Sequence, residues 1–463
     1  RTSYKINKNW IGATLNLEDN SEKIKATNTF SALSQRFTEY GAFVGRGDST
    51  KVFVELGYLQ RKNDSLQNNS ITRVNTSNSY YLKSQLLKTE KSNLAVFVNY
   101  RRLQYEDSNK KDEPSLNSRV LYNDHFFGQK LQLTTVYETL SGTIAQQEFT
   151  YLEVDPTQGT YMWNDYNGNG IQELQEFEIA PFPDLAKYVR VYLPNQVFIR
   201  THQNKFSQTV NLNFSEWQKT TGIKKLASHF YNQTSYLIDR KNLRNGDNFN
   251  LNPFENKEAD LVGMNLNFRN SLFFNRGKQH HSTTYSYLSN ESRSLLSIGS
   301  VAAYNQSHQL QYQHLIRKSW LVNLSGNTTK TNSTSENYPS RNYEIKSYQI
   351  VPKIGYLFSK NASWDVFYEF QQNENQIGAF ETLKQTRLGT SFTFNIEKGF
   401  SMNGEFSMYN NSYDGNALSA VGFQILEGLQ PGKNQTWRLL LQKNLTQYLD
   451  ININYQGRNS ETS

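Results

Sequence analysis

The residues best placed to do chemistry lie in one short segment, NDYNGNGIQELQEFE, residues 164–178. Oxygen-bearing side chains recur there at every second position, followed by a glycine and spaced carboxylates. Counted from Asp165 as position 1, Asn167 is position 3 and Asn169 position 5. Gly170 is then position 6, Ile171 position 7, Glu173 position 9 and Glu176 position 12. The spacing matches the D-x-[DN]-x-[DN]-G-x5-E calcium loop. Calcium takes about six to eight hard oxygens from a flexible loop. The glycine permits the sharp turn, Ile171 offers its backbone carbonyl, and Glu176 can bind with both carboxylate oxygens. Asn at positions 3 and 5 leaves three carboxylates, which suits the modest affinity of a calcium-rich exterior. No apolar helix precedes Asp165, so an EF-hand pair is not expected. The plain alternative is a Gly-Asn turn with solvated acids.

Other chemistry is thinly represented. There is no cysteine, which excludes thiolate catalysis, disulfides and Cys-ligated metals. The seven histidines are 125, 202, 229, 280, 281, 308 and 314, isolated in strand-like stretches. His280 and His281 are adjacent, so within a strand they would point to opposite faces. No G-x-S-x-G, HExxH, Walker A or dinucleotide fingerprint occurs. The chain is therefore expected not to be an enzyme. A hydrolase assembled from Ser, His and Asn on separate strands stays open as an alternative. The net charge is +8, but Lys and Arg are scattered, so no nucleic-acid partner is expected.

The elements that must position the loop are strands. Only 36% of the 463 residues are hydrophobic, yet 14% are aromatic, including 29 Tyr and 28 Phe. That balance suits sheets with one apolar and one wet face. In WDVFYEFQ, Trp364, Val366, Tyr368 and Phe370 oppose Asp365, Glu369 and Gln371. In RLGTSFTFNIE, Leu388, Phe392, Phe394 and Ile396 oppose Arg387, Ser391, Asn395 and Glu397. LDININYQ sets Leu449, Ile451, Ile453 and Tyr455 against Asp450, Asn452, Asn454 and Gln456. Pro352 falls inside another such run and should interrupt its ladder. No run of about 18 apolar residues exists to make a transmembrane helix.

Connections alternate in length. Short turns fall at 88–93, 127–130, 275–278, 316–319, 359–363, 397–400 and 444–447. Longer polar loops fall at 62–76, 107–115, 239–259, 292–303, 331–342, 374–382 and 413–432. This is the outer-membrane pattern of tight periplasmic turns and long outer loops. The expected fold is all-β, a large antiparallel transmembrane β-barrel. About 18 strands are expected from residue 34 onward, each of about 11–17 residues, plus one near 9–18. Residue 1 is Arg, and the last strand runs away from the periplasm, so a closing strand and earlier strands are expected beyond this sequence. Residues 144–197, with four prolines, break the rhythm. The expected organisation is barrel strands over 1–143, a calcium-loop insertion over 144–197 that is extracellular or folds into the lumen, and barrel strands over 198–463.

Two passages, GTYMWNDYNGNGIQELQEFEIAPFPDLAKYVRVYLPN (159–195) and LEGLQPGKNQTWRLLLQKNLTQYLDININYQGR (426–458), resemble a group of large Bacteroidota outer-membrane proteins. The resemblance implies a C-terminal barrel region of a longer protein in a Gram-negative outer membrane. Its implied partners are membrane lipid and other envelope or secretion-complex subunits. The expected function is a pore or translocation channel, or a scaffold subunit of an envelope complex. The alternatives are a secreted all-β adhesin or carbohydrate-binding protein, and a barrel hydrolase.

Overall fold

The computed structural model describes residues 1–461 apart from 26, 49, 146–147, 194–197, 245, 256–259, 279, 297–298, 397–398 and 447–448. Parts of the short turns at 397–400 and 444–447 thus lie outside the described residues. The fold is all-β, of the large antiparallel β-barrel class, with twenty strands in one sheet among the described residues. Eighteen of these follow residue 34, as the alternation implies, and Asn9–Asn20 is the nineteenth. The twentieth, Thr2–Ile6, pairs with Asn9–Asn20 and escapes notice in the sequence because it is only five residues long.

The chain divides into two compact units. In the first (Arg1–Ala145, Val197–Asn211 and Ser235–Asn265), consecutive strands from Thr2–Ile6 to Leu131–Ala145 pair as an antiparallel meander. In the second (Gln146–Gln196, Leu212–Thr234 and Leu266–Ser463), a second meander runs from His281–Leu296 to Leu449–Ser460.

Within each unit the sheet buries the face that a water-soluble sheet would expose. In the strand Ala362–Asn375, Trp364, Val366, Tyr368 and Phe370 stand exposed, Trp364 at 49%. The opposite face holds Glu369, Asn373 and Asn375, with Glu369 only 7% exposed. The first unit repeats this: Ile11, Val44, Leu56 and Tyr80 are exposed, while Glu55, Asp64, Ser77 and Ser79 are buried. Buried charged groups on this face are held in pairs. Arg36 and Arg73 both hold Asp64, at 3.0 and 2.6 Å, and Arg387 bridges Glu369 and Glu405.

Two expected loops are strands instead. The 62–76 stretch belongs to Phe53–Gln67 and Ser70–Lys88, joined at Asn68 and Asn69, whose positive φ values of 47° and 65° suit a tight hairpin. The 292–303 stretch likewise belongs to His281–Leu296 and Gly299–Ile316. Strands therefore reach 19 residues. The 62–76 stretch is largely polar, and in 292–303 apolar residues such as Leu295 and Leu296 are adjacent rather than alternating, so the period-two signal that marks strands fades in both. Pro352 does interrupt its ladder: Val351 and Pro352 pair with the strand before but have no register partner on the strand after.

Candidate functional site

The insertion folds as a small module with ordinary polarity. Its sheet orders the strands Glu148–Glu153, Tyr188–Leu193, Tyr161–Trp163 and Phe177–Ile179. Phe177, Ala186 and Tyr188 are buried at its centre. Phe177 stacks on Tyr151 with ring centroids 4.1 Å apart and meets Tyr188 edge-on at 5.0 Å.

The loop of Asp165 to Glu176 is closed at its base, where the Asn164 N–H donates to the Glu176 carbonyl at 2.9 Å. Asp165 caps the turn, accepting from the amides of Gly168, Asn169 and Gly170 at 2.7, 3.2 and 2.8 Å. Asn167 accepts from Asn169 N–H, and Asn169 accepts from Ile171 N–H. Gly170 sits at φ 71°, the left-handed region that a non-glycine residue resists. The Asn167 amide donates to Glu173 at 2.7 Å, so positions 3 and 9 converge. The side chain of Ile171 is exposed; as a ligand it would act only through its carbonyl.

Glu176 differs from the rest. It is 1% exposed, and its Oε2 accepts from Trp163 Nε1 at 2.8 Å and from Glu173 N–H at 3.4 Å. Its Oε1 is buried with no hydrogen-bond partner among the described residues. A buried, unpartnered carboxylate oxygen is costly unless something satisfies it. By residue type, Asp165, Asn167, Asn169, the Ile171 carbonyl, Glu173 and Glu176 are hard-oxygen donors of the kind calcium takes. Among the described residues no group of three or more His, Cys, Asp or Glu is arranged to hold a metal, so Asp165, Glu173 and Glu176 are not gathered into a ready carboxylate cluster.

Beyond the loop, the chain anchors to the wall of its own unit. Arg341, in the turn Pro339–Arg341, donates to the Glu178 carboxylate at 2.6 Å and to the Gln175 carbonyl. Gln424 donates to the other Glu178 oxygen at 3.1 Å. Burial pushes the Glu178 carboxyl up, and the Arg341 guanidinium opposes this only in part. Further along, Arg458 pairs with Asp184 at 2.7 Å and lies over the Phe182 ring at 4.5 Å. Arg458 shares its sheet face with Gln456, which is in register with Arg438, itself in register with Glu405. The insertion thus docks on the polar face.

Sequence reasoning missed the second in-folded segment. The 413–432 stretch reads as a polar outer loop, but it carries the helix Ala420–Leu426, capped by the Ser419 hydroxyl. Val421, Ile425 and Leu426 are buried against Ile345 and Leu383, with Leu383 only 1% exposed. Leu383 and Ile345 sit on the polar face, in register with Asn373 and Asn375. Apolar residues in the polar phase of their strands were the signal that something apolar covers them.

Between these segments and the sheet lie two cavities. One, of about 450 Å³, is bounded by Phe182, Asp184, Tyr409, Arg438 and Arg458. The other, of about 520 Å³, is lined by amides and hydroxyls such as Asn327, Thr329 and Gln371. Glu369, Arg387 and Glu427 border both.

The histidines correct one expectation. His280 and His281 do not diverge: their Nδ1 atoms are 3.3 Å apart, because His280 precedes the strand that begins at His281. In the first unit, Ser141 and His202 meet at 2.9 Å. Both are buried, and the Ser141 hydroxyl is engaged by the Leu116 backbone.

No family model and no curated protein matches the chain. Among solved structures it is similar to the ferric-catecholate import receptor Fiu of E. coli K12, in its open form, at 10% identity. That match covers 98% of this chain and 73% of the receptor, with a TM-score of 0.32. It is similar to the FrpB iron transporter of Neisseria meningitidis at 12% identity, over 91% of this chain and 66% of that one, with a TM-score of 0.37. It is also similar to OccAB3 of Acinetobacter baumannii at 13% identity, over 98% and 100% of the two chains, with a TM-score of 0.31.

Proposed function

We infer that this chain spans a Gram-negative outer membrane as a barrel whose polar passage is narrowed by in-folded segments, and that it acts as a gated channel. The observation that carries this reading is the reversed burial of the strands. Rows of Trp, Tyr, Phe, Leu and Ile stand exposed, while acids, amides and hydroxyls are buried. In water such a face would be a large aggregation-prone surface; against lipid it is the required one. The insertion and the 420–426 helix both lie on the polar side, where they would restrict passage. Membership of the Bacteroidota barrel group, with envelope subunits as partners, is part of this reading.

Extraction should require detergent, and the folded protein should migrate faster on a gel than the boiled one. Release without detergent and no heat-dependent shift would turn the reading toward a secreted all-β adhesin. In planar bilayers the wild type should give small, infrequent openings. Leu426→Ala, which weakens the contact with Leu383 and Ile345 by about 2–5 kcal/mol, should enlarge or lengthen them. A second reading, a scaffold subunit, draws on the same contact, since Ile425 and Leu426 are as buried as a permanent core. Silence from both proteins in the bilayer would favour it over the channel.

A further inference from the structure

The geometry points to a calcium-dependent latch: Ca²⁺ held by the 165–176 loop fixes the segment that anchors the insertion to the wall of its unit. It rests on the proposed channel reading only for what the latch would close. Two independent features support an ion site. The donor spacing from Asp165 to Glu176 is that of a calcium loop. Separately, Glu176 is almost fully buried with Oε1 unpartnered, and its carboxylate sits against the loop's own backbone at Glu173. A divalent cation would satisfy that oxygen.

The coupling follows from chain continuity. The residue before Glu176 and the one two after it contact the same guanidinium: Arg341 bonds the Gln175 carbonyl and the Glu178 carboxylate. Glu178 also accepts from Gln424, which lies on the in-folded helix. Fixing Glu176 on an ion therefore restrains both anchor points within one short stretch. Loss of the ion would free the loop between Asn164 and Glu176 and loosen both contacts. Extracellular calcium sites bind on the order of 10⁻⁴ to 10⁻³ M, which would let external calcium set how firmly the insertion is docked.

The test uses the full chain in detergent micelles with Tb³⁺ as the calcium-sized probe. Trp163 Nε1 bonds the Glu176 carboxylate, so excitation of this indole should sensitise Tb³⁺ emission. The emission should be displaced by Ca²⁺ and not by equal Mg²⁺. Glu176→Gln should lower affinity at least about tenfold, and so should the exposed Asp165→Ala, which covers the case in which the buried variant misfolds. Calcium should also slow hydrogen exchange across 148–193. Glu178→Gln should keep the Tb³⁺ signal and lose that calcium-linked protection. Absent or Mg²⁺-displaceable emission, unchanged affinity in Asp165→Ala, or binding with no gain in protection would each overturn the latch. Conductance plays no part in these readouts, so the latch and the channel can fail separately.

Discussion

Two regions of the same unit obey opposite burial rules. In the strand Ala362–Asn375, the apolar row is exposed and the polar row buried. In the insertion, Phe177, Ala186 and Tyr188 are enclosed, as in any protein folded in water. The two acids buried in the insertion, Glu176 and Glu178, belong to the 165–176 loop and the anchor. Burial is a record of solvent: a side chain turns away from whatever solvates it poorly. The exposed apolar row of the wall is what lipid would require, and the insertion has the enclosed apolar centre of a module folded in water. The difference also explains how the insertion can dock where it does. It presents Glu178 and Asp184 to the guanidinium groups of Arg341 and Arg458, and a polar wall receives it through ion pairs rather than through an apolar patch.

The contrast can be broken in three places. The largest effect is expected from Phe177→Ala, which removes the ring stacked on Tyr151. It should cost the module about 3–5 kcal/mol, read as lost exchange protection over 148–193. The heat-dependent gel shift should not change, because the wall does not use that ring; a changed shift would mean the two regions fold as one. Next is Val366→Arg, expected to cost about 2–4 kcal/mol in vesicles if it faces the bilayer midplane. Ile179→Arg, on a still more open site of the insertion, should stay within about 0.5 kcal/mol. Equal small costs in urea titrations of both variants would mean that the wall faces water.

The smallest effect concerns the outer anchor. The Arg458 hydrogen bond and charge hold the Asp184 carboxyl below its ordinary value of 3.8. A carboxyl depressed on folding adds stability above its unfolded value and loses it as pH falls through the folded one. Exchange protection at 181–185 should be flat from about pH 7 to pH 5 and fall only below the ordinary carboxylate value. Because Asp184 is largely exposed, the pair is worth on the order of 0.2–1 kcal/mol. Asp184→Asn should abolish the acid step; a step surviving in that variant would assign it to another group.

Alternation in the sequence was enough to recognise a strand, its two faces and the antiparallel class, because side chains in a strand must alternate whatever lies beyond it. Trp364, Val366, Tyr368 and Phe370 were readable as one face for that reason, and so was the insertion, whose prolines and calcium-type spacing have no place in a sheet. The donor order from Asp165 to Glu176 was also local and therefore legible. Strand alternation is the same whichever face is buried; it was the short-and-long pattern of turns that pointed to a membrane barrel, and with it to an outward apolar face. Two things were not legible. The role of 413–432 needed Leu383 and Ile345 to be brought under the 420–426 helix from distant positions. The anchor needed Arg341, Gln424 and Arg458 to meet Glu178 and Asp184 across more than a hundred residues. Local sequence sets periodicity and turn chemistry. Only closure of long-range contacts decides which polar groups are buried together.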